Sequence, residues 1–314
     1  MELPLGRVVD GKALADGVLQ GIRRKMEGYS DKPCLAVVCV GSRKESDSFV
    51  RSKIREAEVC GVDVIVKRFD GAIGEQDLLE QVALLNANPS IDGILLQLPL
   101  PSHLHELTIS QAVSFDKDVD ALHKENLGLL AIPQATPLFA PCTALSVVKI
   151  LEATGVQLRG AVVCIIGASA NVGIPLMLLL IRNGCTVTLC HIHTRELIKH
   201  TATADIVVAA AGVSRLIGAE HVKPGAVVVD VGINFVQDAS KASGFRLVGD
   251  VDFDSVKPRA AFITPVPNGV GPLTSALVLD ATAEAFLHYR AKRRLTSGST
   301  SRPKLELVYP QNSK

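Results

Sequence analysis

The segment Ala161–Ile181, AVVCIIGASANVGIPLMLLLI, decides how this chain folds. Its first part, Ala161–Ile166, is a short apolar run rich in β-branched residues, which predicts a strand buried on both faces. Gly167 interrupts the run, and a second apolar stretch follows Gly173 and stops at Arg182, as a helix does. A strand, a glycine turn and a helix together present backbone N–H groups and a helix N-terminus to a phosphate.

Two interpretations of this segment are open on its residues alone. The spacing from Gly167 to Gly173 is not the G-x-G-x-x-G fingerprint of Rossmann dinucleotide-binding units, so that signal is weak. An ordinary strand-to-helix turn in any α/β domain explains the same residues. The choice between them depends on the rest of the chain.

Composition excludes several classes of protein. The chain has 314 residues, 47% of them hydrophobic, which suffices for a large core and two domains. The net charge is +1 with scattered Lys and Arg, so no electrostatic footprint for nucleic acid is present. The longest apolar run, Ile174–Ile181, is far shorter than the roughly 20 residues of a membrane span. With neither a signal peptide nor a basic presequence at the N-terminus, we expect a soluble, cytoplasmic protein without a membrane partner.

The cysteine pattern favours buried, reduced thiols. The seven cysteines form no C-x-x-C pair and are odd in number, as expected in a reducing compartment. The closest Cys/His group is Cys190, His191 and His193. Successive strand residues point to opposite faces, so these residues are poorly arranged to bind a metal. We therefore expect no metal site.

Apolar and helical patterns alternate along the first part of the chain. Helices are predicted at 10–26, 42–58 and 75–86, and strands at 35–40, 62–69 and 93–98. Such alternation indicates parallel strands with helical crossovers. Ligands bind beyond the carboxyl ends of such strands, so we expect the helical segment Ser46–Lys53 and Gln97 to face one cleft. The proline-rich segment Pro133–Pro141 is the predicted domain boundary.

The second part continues the alternation around the opening segment. A helix is predicted at 143–154, strands at 186–191, 205–211, 226–232 and 261–267, and a long helix at 273–290. The remaining residues become basic and then rich in Ser and Pro, which predicts a frayed helix end and a disordered extension.

Lys53 is the first candidate for chemistry. It lies four residues after Phe49 and seven after Ser46, so the three residues share one helix face. A lysine beside an aromatic ring acts as a general base if desolvation lowers its pKa. The alternative is a solvated lysine on a helix surface.

Two further candidates lie after the strand at 93–98. Gln97 precedes Pro99 at the carboxyl end of that strand, where a turn residue is the plainer explanation. Asp116, Asp118 and Asp120 alternate with other residues. They have the chemistry to bind a cation or a heterocycle, and a charged loop is the alternative.

Several ordered motifs combine these weak signals into one strong one. They are Gln97-Leu98-Pro99-Leu100-Pro101, Lys117-Asp118-Val119-Asp120, Pro141-Cys142-Thr143, Asp230-Val231-Gly232-Ile233-Asn234, Gly249-Asp250-Val251, and Thr264-Pro265-Val266-Pro267 followed by Gly269-Val270-Gly271-Pro272. With these motifs, the chain resembles the bifunctional methylenetetrahydrofolate dehydrogenase/methenyltetrahydrofolate cyclohydrolase family from about Val8 to about Phe286.

The resemblance implies an α/β protein with an N-terminal catalytic lobe, a Rossmann-type dinucleotide-binding lobe and a cleft between them. The implied folate-binding domain is 1–141, completed by a returning helix at 273–293. The implied NAD(P)-binding domain is 142–272, and 294–314 is the predicted disordered tail. The resemblance also implies tetrahydrofolate substrates, NADP or NAD as cofactor, and a homodimer.

The resemblance assigns roles to individual residues. Lys53 transfers the proton in the cyclohydrolase step, Gln97 hydrogen-bonds it, and Asp120 holds the pterin ring. The implied substrate-binding residues are Ser46, Phe49, Pro99, Pro267, Gly269 and Gly271. The implied cofactor-binding residues are Gly167, Ala168, Ser169, Val172, Gly173, His191, His193, Ile233 and Thr274.

The chain departs from the family pattern near these sites. Phe49 replaces a tyrosine and therefore lacks its hydroxyl. Ala168 replaces the arginine that pairs with the 2′-phosphate of NADP, and Ile192 replaces a serine near the same phosphate. Asn268 and Ala121 each stand where the family has glycine. The cofactor pocket is thus altered, and the preference between NAD and NADP is doubtful.

Two hypotheses follow. The first is an active enzyme of one-carbon folate metabolism. The second is a catalytically impaired paralogue that binds folate or a partner protein. Retention of Lys53, Gln97 and Asp120 favours the first, because a degenerate copy has no reason to keep a proton-handling set.

Overall fold

The computed structural model describes residues 5–42, 44–241 and 244–296, without the side chains of residues 44–49 and 290–296. The chain divides into two compact units. Unit 1 comprises Met1–Val18 and Pro141–Leu277, and unit 2 comprises Leu19–Ala140 and Val278–Lys314.

The elements alternate through most of the chain. The strands are β1 (Arg7–Val8), β2 (Cys34–Val40), β3 (Asp63–Phe69), β4 (Gly93–Leu96), β5 (Val162–Ile166), β6 (Thr186–Cys190), β7 (Ile206–Ala209), β8 (Val227–Asp230), β9 (Asn234–Gln237), β10 (Phe245–Val248) and β11 (Phe262–Ile263). The helices are α1 (Gly11–Met26), α2 (Lys44–Cys60), α3 (Glu75–Ala87), α4 (Glu106–Ala112), α5 (Lys124–Ala131), α6 (Cys142–Thr154), α7 (Gly173–Arg182), α8 (Leu197–Thr201), α9 (Phe253–Val256) and α10 (Val270–Thr296).

Unit 1 contains a six-stranded parallel sheet in the order β1-β11-β8-β7-β5-β6. Strands β7 and β8 are buried along their whole length, as expected for the strands of a parallel sheet that is covered on both faces. Since all strands run in one direction, the residues that follow β5, β7 and β8 lie at one edge. This is the edge where α/β sheets bind ligands.

Unit 2 contains a three-stranded parallel sheet in the order β3-β2-β4. Helix α3 buries Leu78, Val82 and Leu85 against a core that includes Ala36 and Val38 of the central strand. The segment around Lys117 runs beside β4, because the N–H of Ile94 donates to the Lys117 carbonyl at 2.7 Å. The predicted α/β class with two parallel sheets is confirmed.

The first residues of the chain do not belong to the unit that contains most of the predicted first domain, 1–141. The two residues of β1 pair with Phe262 and Ile263 of β11, which places residues 1–18 in unit 1. A strand of two residues has no periodic pattern of its own, so its partner cannot be identified from sequence. The predicted strand at 261–267 is shortened to Phe262–Ile263, since the prolines that follow have no N–H to donate.

The last helix is longer than its predicted range, 273–293. It runs from Val270 to Thr296, and residues 297–314 of the predicted tail lie outside the described residues. Its stretch Val270–Tyr289 has the length and hydropathy of a membrane span, but more than half of the tested window is buried in the fold. A core helix has the same composition.

Candidate functional site

The turn between β5 and α7 depends on two glycines. Gly167 has φ +116°, and a Cβ atom there would collide with the Ala210 carbonyl oxygen. A Cβ at Gly173 would collide with the Gly167 carbonyl oxygen. Neither obstacle is a movable side chain, so both positions require glycine. The turn therefore forms a backbone cradle at the ligand-binding edge of unit 1.

Ser169 completes this cradle. Its hydroxyl oxygen accepts the N–H groups of Val172 at 3.2 Å and Gly173 at 3.4 Å, which fixes the path of the chain into α7. The N-terminus of α7 also carries the positive end of the helix dipole, which is suited to phosphate. Ala168 lies within this turn, half-buried, and offers no side-chain donor to an anion.

The segment after β6 carries the two predicted histidines. The His191 N–H donates to Thr194 Oγ1 at 2.9 Å, and the His193 N–H donates to His191 Nδ1 at 3.1 Å. Because Nδ1 accepts this bond, a neutral His191 carries its proton on Nε2. Ile192 between them is 93% exposed, an unusual position for an isoleucine in a free monomer.

Asp230 joins two of the sequence motifs. Its carboxylate accepts the N–H groups of Gly232 at 3.0 Å, Asp250 at 2.9 Å and Val251 at 2.9 Å. Burial raises the pKa of Asp230 to about 6, although these three N–H donors oppose that rise. Its own N–H donates to Thr264 Oγ1 at 2.8 Å. These hydrogen bonds connect the Asp230-Val231-Gly232 and Gly249-Asp250-Val251 motifs to each other.

The turn after β11 contains three predicted substrate residues, Pro267, Gly269 and Gly271. The Asn268 carbonyl accepts the N–H of Gly11 at 3.1 Å, and a Cβ at Gly11 would collide with the Gly269 carbonyl oxygen. The bond before Pro267 is cis. Asn268 has φ +78°, a conformation that asparagine tolerates better than most residues. By contrast, no atom lies within 4 Å of a Cβ added at Gly271.

Two other predicted cofactor residues differ in exposure. Ile233 lies between β8 and β9, directly after the closely packed Gly232, and 47% of its surface is exposed. Thr274 is half-buried, with its Oγ1 3.0 Å from Ser146 Oγ and 3.2 Å from the Val270 carbonyl oxygen. These contacts of Thr274 stabilise the start of α10, independently of its predicted role in cofactor binding.

In unit 2, Lys53 lies on the core-facing side of α2. Val50 three residues before it and Ala57 four residues after it are buried, and Lys53 itself is half-buried. A lysine at such a position buries its methylene stem and directs its ammonium group away from the core. Ser46 and Phe49 belong to the same helix, but their side chains lie outside the described residues.

Gln97 has one side-chain atom that is buried without a hydrogen-bond partner among the described residues. Its Nε2 donates to the Leu98 carbonyl at 3.2 Å, while its Oε1 is buried and finds no hydrogen-bond donor among the described residues. A buried acceptor without a donor costs free energy, so this oxygen is suited to a donor from a functional group or a ligand. The peptide bond between Leu98 and the exposed Pro99 is cis.

The aspartates of the Lys117–Asp120 region have separate roles. Asp116 accepts a hydrogen bond from Ser114 Oγ at 2.8 Å. Asp118 is buried and accepts the His123 N–H at 2.7 Å, and its burial raises its pKa. Asp120 remains half-buried. The three carboxylates do not converge: in the chain as described, no group of three or more His, Cys, Asp or Glu could hold a metal ion.

The structure thus brings the predicted residues together in two sets. In unit 1 it joins the glycine cradle to the segment after β7, and in unit 2 it places the Lys117–Asp120 segment beside β4, which ends one residue before Gln97. The individual roles remain predictions. Sequence reasoning missed Asp250 and Asn234 as side-chain partners, although both lie in quoted motifs. Membership of those motifs was the one sign in the sequence that these two residues have a structural role.

Comparison with known proteins also gives two domains, with boundaries that differ from those of the two units at both ends of the chain. Residues 9–120 match the model of the tetrahydrofolate dehydrogenase/cyclohydrolase catalytic domain, and residues 141–290 match that of the NAD(P)-binding domain of the same family. The chain is similar to "Bifunctional protein FolD 2" of Arabidopsis thaliana, with 44% identity over 282 residues covering 88% of this chain and 94% of the relative. It is 45% identical to "Bifunctional protein FolD" of Azoarcus sp. (strain BH72) over 279 residues, covering 88% and 94%.

Solved structures give the same result. The bifunctional enzyme FolD of Campylobacter jejuni superposes with a TM-score of 0.84 at 39% identity, over 89% of this chain and 98% of that one. FolD of Trypanosoma brucei, solved with NADP and an inhibitor, gives 0.88 at 35% identity, over 92% and 99%. The predicted resemblance is confirmed: the chain belongs to the bifunctional tetrahydrofolate dehydrogenase/cyclohydrolase family.

Proposed function

We propose that this protein oxidises 5,10-methylenetetrahydrofolate to 5,10-methenyltetrahydrofolate with NAD(P), and hydrolyses the methenyl form to 10-formyltetrahydrofolate. The observation that carries the proposal is that both family domains match in one chain. This chain also retains Lys53, Gln97 and Asp120. Its relatives of similar length are named as bifunctional enzymes.

Unit 1 supplies the dehydrogenase half. When bound, NAD(P) would supply a nicotinamide as acceptor for a hydride from the folate methylene carbon, which would leave the substrate with a cationic methenyl bridge. The backbone cradle from Gly167 to Gly173 is suited to a pyrophosphate, because its two glycines let the backbone pack closely in the turn and α7 directs its N-terminus there. Ser169 holds the cradle in shape.

Unit 2 supplies the cyclohydrolase half. Water attacks the cationic bridge, and the Lys53 amine receives and returns the protons. The unsatisfied Oε1 of Gln97 accepts a hydrogen bond from the lysine ammonium group, which fixes its position and favours its charged form. The Asp120 carboxylate accepts N–H groups of the pterin ring.

The cofactor preference follows from the altered pocket. Ala168 and Ile192 provide no donor to the 2′-phosphate of NADP, a group that normally takes an arginine or several donors. The polar residues nearest in sequence are His191, His193, Thr194 and Arg195, and of these we propose that His193 and the exposed Arg195 are the ones placed to meet the phosphate. We therefore propose that NAD and NADP are used comparably at neutral pH, with NADP favoured at more acidic pH, where a protonated imidazole offers a positive charge to the phosphate.

The ratio of kcat/KM for NADP over NAD tests this preference. It is measured between pH 6 and pH 8 in the parent and in His193→Ala. We expect the ratio to rise on acidification in the parent and to stay flat in the variant. A large NADP preference that is independent of pH and survives the substitution would assign the phosphate to Arg195 instead.

We further propose a homodimer. The β9–β10 hairpin places Phe235 and Phe245 on one face, 46% and 49% exposed. Large exposed apolar side chains that lie together indicate an interaction surface, and a second copy is the occupant that we propose. Light scattering on the parent and on Phe235→Ser/Phe245→Ser should give the mass of a dimer and of a monomer respectively. A monomeric parent contradicts the proposal.

The cysteines support a cytoplasmic location. All seven are free and buried, as expected in a reducing compartment. Cell fractionation with antibody detection tests this proposal, and recovery in an oxidising compartment contradicts it.

An absorbance assay tests the main proposal. Purified protein is mixed with methylenetetrahydrofolate and either NAD or NADP, and the methenyl product and the reduced nicotinamide are followed together. Added methenyltetrahydrofolate reports the hydrolytic step separately. Turnover in both assays is expected, whereas folate binding without turnover would identify a catalytically impaired paralogue.

A further inference from the structure

One buried carboxylate, that of Asp250, joins the segments that follow two neighbouring strands of unit 1. Its Oδ2 accepts the N–H groups of Ala211 at 2.6 Å and Gly212 at 2.8 Å, just after β7. Its Oδ1 accepts the side-chain amide of Asn234 at 2.8 Å; Asn234 begins β9, four residues after the end of β8. Asp250 is completely buried. A carboxylate with three donors is a strong tether, because hydrogen bonds to an ionised acceptor are the stronger kind.

The segment held by Asp250 directly contacts the glycine cradle. The N–H of Ala210 donates to the Ile166 carbonyl at 2.7 Å, and the Ala210 carbonyl oxygen occupies the place where Gly167 would carry a Cβ. Ala210 is the residue before Ala211, whose N–H Asp250 binds. The position of the cradle therefore depends on the Asp250 carboxylate through one short segment.

Close packing around Asp250 leaves it little freedom. A Cβ at Gly232 would collide with Oδ1 of Asp250, and a Cβ at Gly249 would collide with the carboxylate of Asp230. The Asp250 N–H in turn donates to Asp230 at 2.9 Å. The two aspartates thus hold each other's segments, so a change at either one moves both.

Exposed apolar residues flank the tethered positions. Val213 follows Gly212 and is 50% exposed, and Ile233 precedes Asn234 and is 47% exposed. Both belong to segments at the carboxyl edge of the parallel sheet, where ligands bind. Apolar side chains at such an edge are the usual lining for a flat ring.

We infer that Asp250, with Asn234 as its partner, is a positioning residue for the dinucleotide in this enzyme. It acts on the cofactor through the Ala210–Gly212 segment and through Ile233. This inference rests on the proposed function. Its specific consequence is that disturbing the Asp250–Asn234 pair weakens dinucleotide binding and hydride transfer but leaves hydrolysis of methenyltetrahydrofolate intact.

Exchanging donor and acceptor tests the pair without removing any volume. Asn234→Asp sets two carboxylates against each other with no donor between them. The double variant Asn234→Asp/Asp250→Asn restores one donor and one acceptor. Asp250→Asn alone keeps an acceptor for Ala211 and Gly212, and an amide flip of Asn234 can restore the remaining bond.

The dissociation constants of NAD and NADP, measured by titration calorimetry, are the first readout. The second is the pair of dehydrogenase and cyclohydrolase rates. We expect Asn234→Asp to weaken dinucleotide binding by about tenfold, as for loss of a buried charge-assisted hydrogen bond. We expect the double variant to recover to within about threefold of the parent. The exposed Asp254→Asn serves as the matched control, and thermal unfolding checks that each variant is folded.

Three results would overturn the inference: unchanged dinucleotide affinity in Asn234→Asp, no recovery in the double variant, or a parallel loss of both activities. The last would show a role in folding alone. A parent protein that binds neither dinucleotide overturns the proposed function as well. A parent that turns over normally, with variants that do the same, overturns only the role of Asp250.

Discussion

The two candidate regions of this protein are built from different parts of the polypeptide. In unit 1 the cradle at Gly167 and Gly173 is made of backbone groups held by close contact and by buried carboxylates. In unit 2 the chemistry depends on the side chains of Lys53, Gln97 and Asp120. A backbone site tolerates changes of side chain but not added volume at its glycines. A site built from side chains is sensitive to replacement of those side chains and less sensitive to added volume in the nearby backbone.

Two departures from the family pattern are consistent with this difference, whereas Phe49, which lacks a hydroxyl in unit 2, is an exception to it. Ala168 and Ile192 replace polar side chains in the backbone-built region, whose cradle does not depend on them. In the side-chain-built region Lys53, Gln97 and Asp120 are all retained. The following predictions test whether the contrast is real.

The largest effect is expected for Lys53→Ala in the hydrolytic assay. A positioned proton-transfer group contributes roughly 100- to 10,000-fold to a rate, so the variant should lose hydrolysis by a factor in that range. Hydride transfer needs no protein base and should persist. The exposed Lys67→Ala on β3 is the control for loss of a charge. Hydrolysis at the parent rate in Lys53→Ala would remove Lys53 from the mechanism.

The converse experiment is Gly173→Ala. The added methyl group meets the Gly167 carbonyl oxygen, so the cradle must shift, and a displacement of about 1 Å costs on the order of 100-fold in rate. The dehydrogenase kcat/KM should fall by that factor while hydrolysis is retained. Gly21→Ala, on α1 with nothing within 4 Å of the added atom, is the matched control. An equal fall in both activities would contradict the contrast between the units.

A smaller effect is expected for Phe49→Tyr. If the site lacks only the hydroxyl of the family's tyrosine, restoring one hydrogen bond of about 1 kcal/mol should raise hydrolysis nearly tenfold. The hydrolytic rate constant with methenyltetrahydrofolate is the measurement. A rate that is unchanged or lower would show that the missing hydroxyl does not limit this site.

The sequence predicts the regular core well, because long apolar runs determine it. Helix α7 was predicted to end at Arg182, and the structure ends it there. The hairpin of β9 and β10 and the strand β1 were not predicted, because each is too short to show a period of its own. Asp118 and Asp250 were found as motif members but not as buried hydrogen-bond acceptors. A carboxylate in a polar segment has the same sequence pattern whether it faces water or buried hydrogen-bond donors.

The smallest effect concerns the residue after Asp120. Ala121 and Asn268 both stand where the family has glycine, and both have positive φ, +55° and +78°. Asparagine adopts this conformation readily, whereas alanine pays roughly 1–2 kcal/mol for it. The backbone of Ala121 is therefore strained, and Ala121 directly follows Asp120, one of the side chains on which the chemistry of unit 2 depends.

Ala121→Gly should nevertheless change the free energy of unfolding by less than about 1 kcal/mol. Relief of the left-handed conformation stabilises the variant, but the fully buried methyl group is lost at about 0.8 kcal/mol. The greater freedom of glycine in the unfolded chain opposes folding by a further 0.5–1 kcal/mol or so. Ala121→Val is the informative counterpart, since a β-branched residue fits neither the conformation nor the space, and it should be clearly destabilised. Urea unfolding of both variants is the measurement. A Gly variant stabilised well beyond 1 kcal/mol, with altered hydrolysis, would show that the strain at Ala121 serves Asp120 and that unit 2 also depends on its backbone.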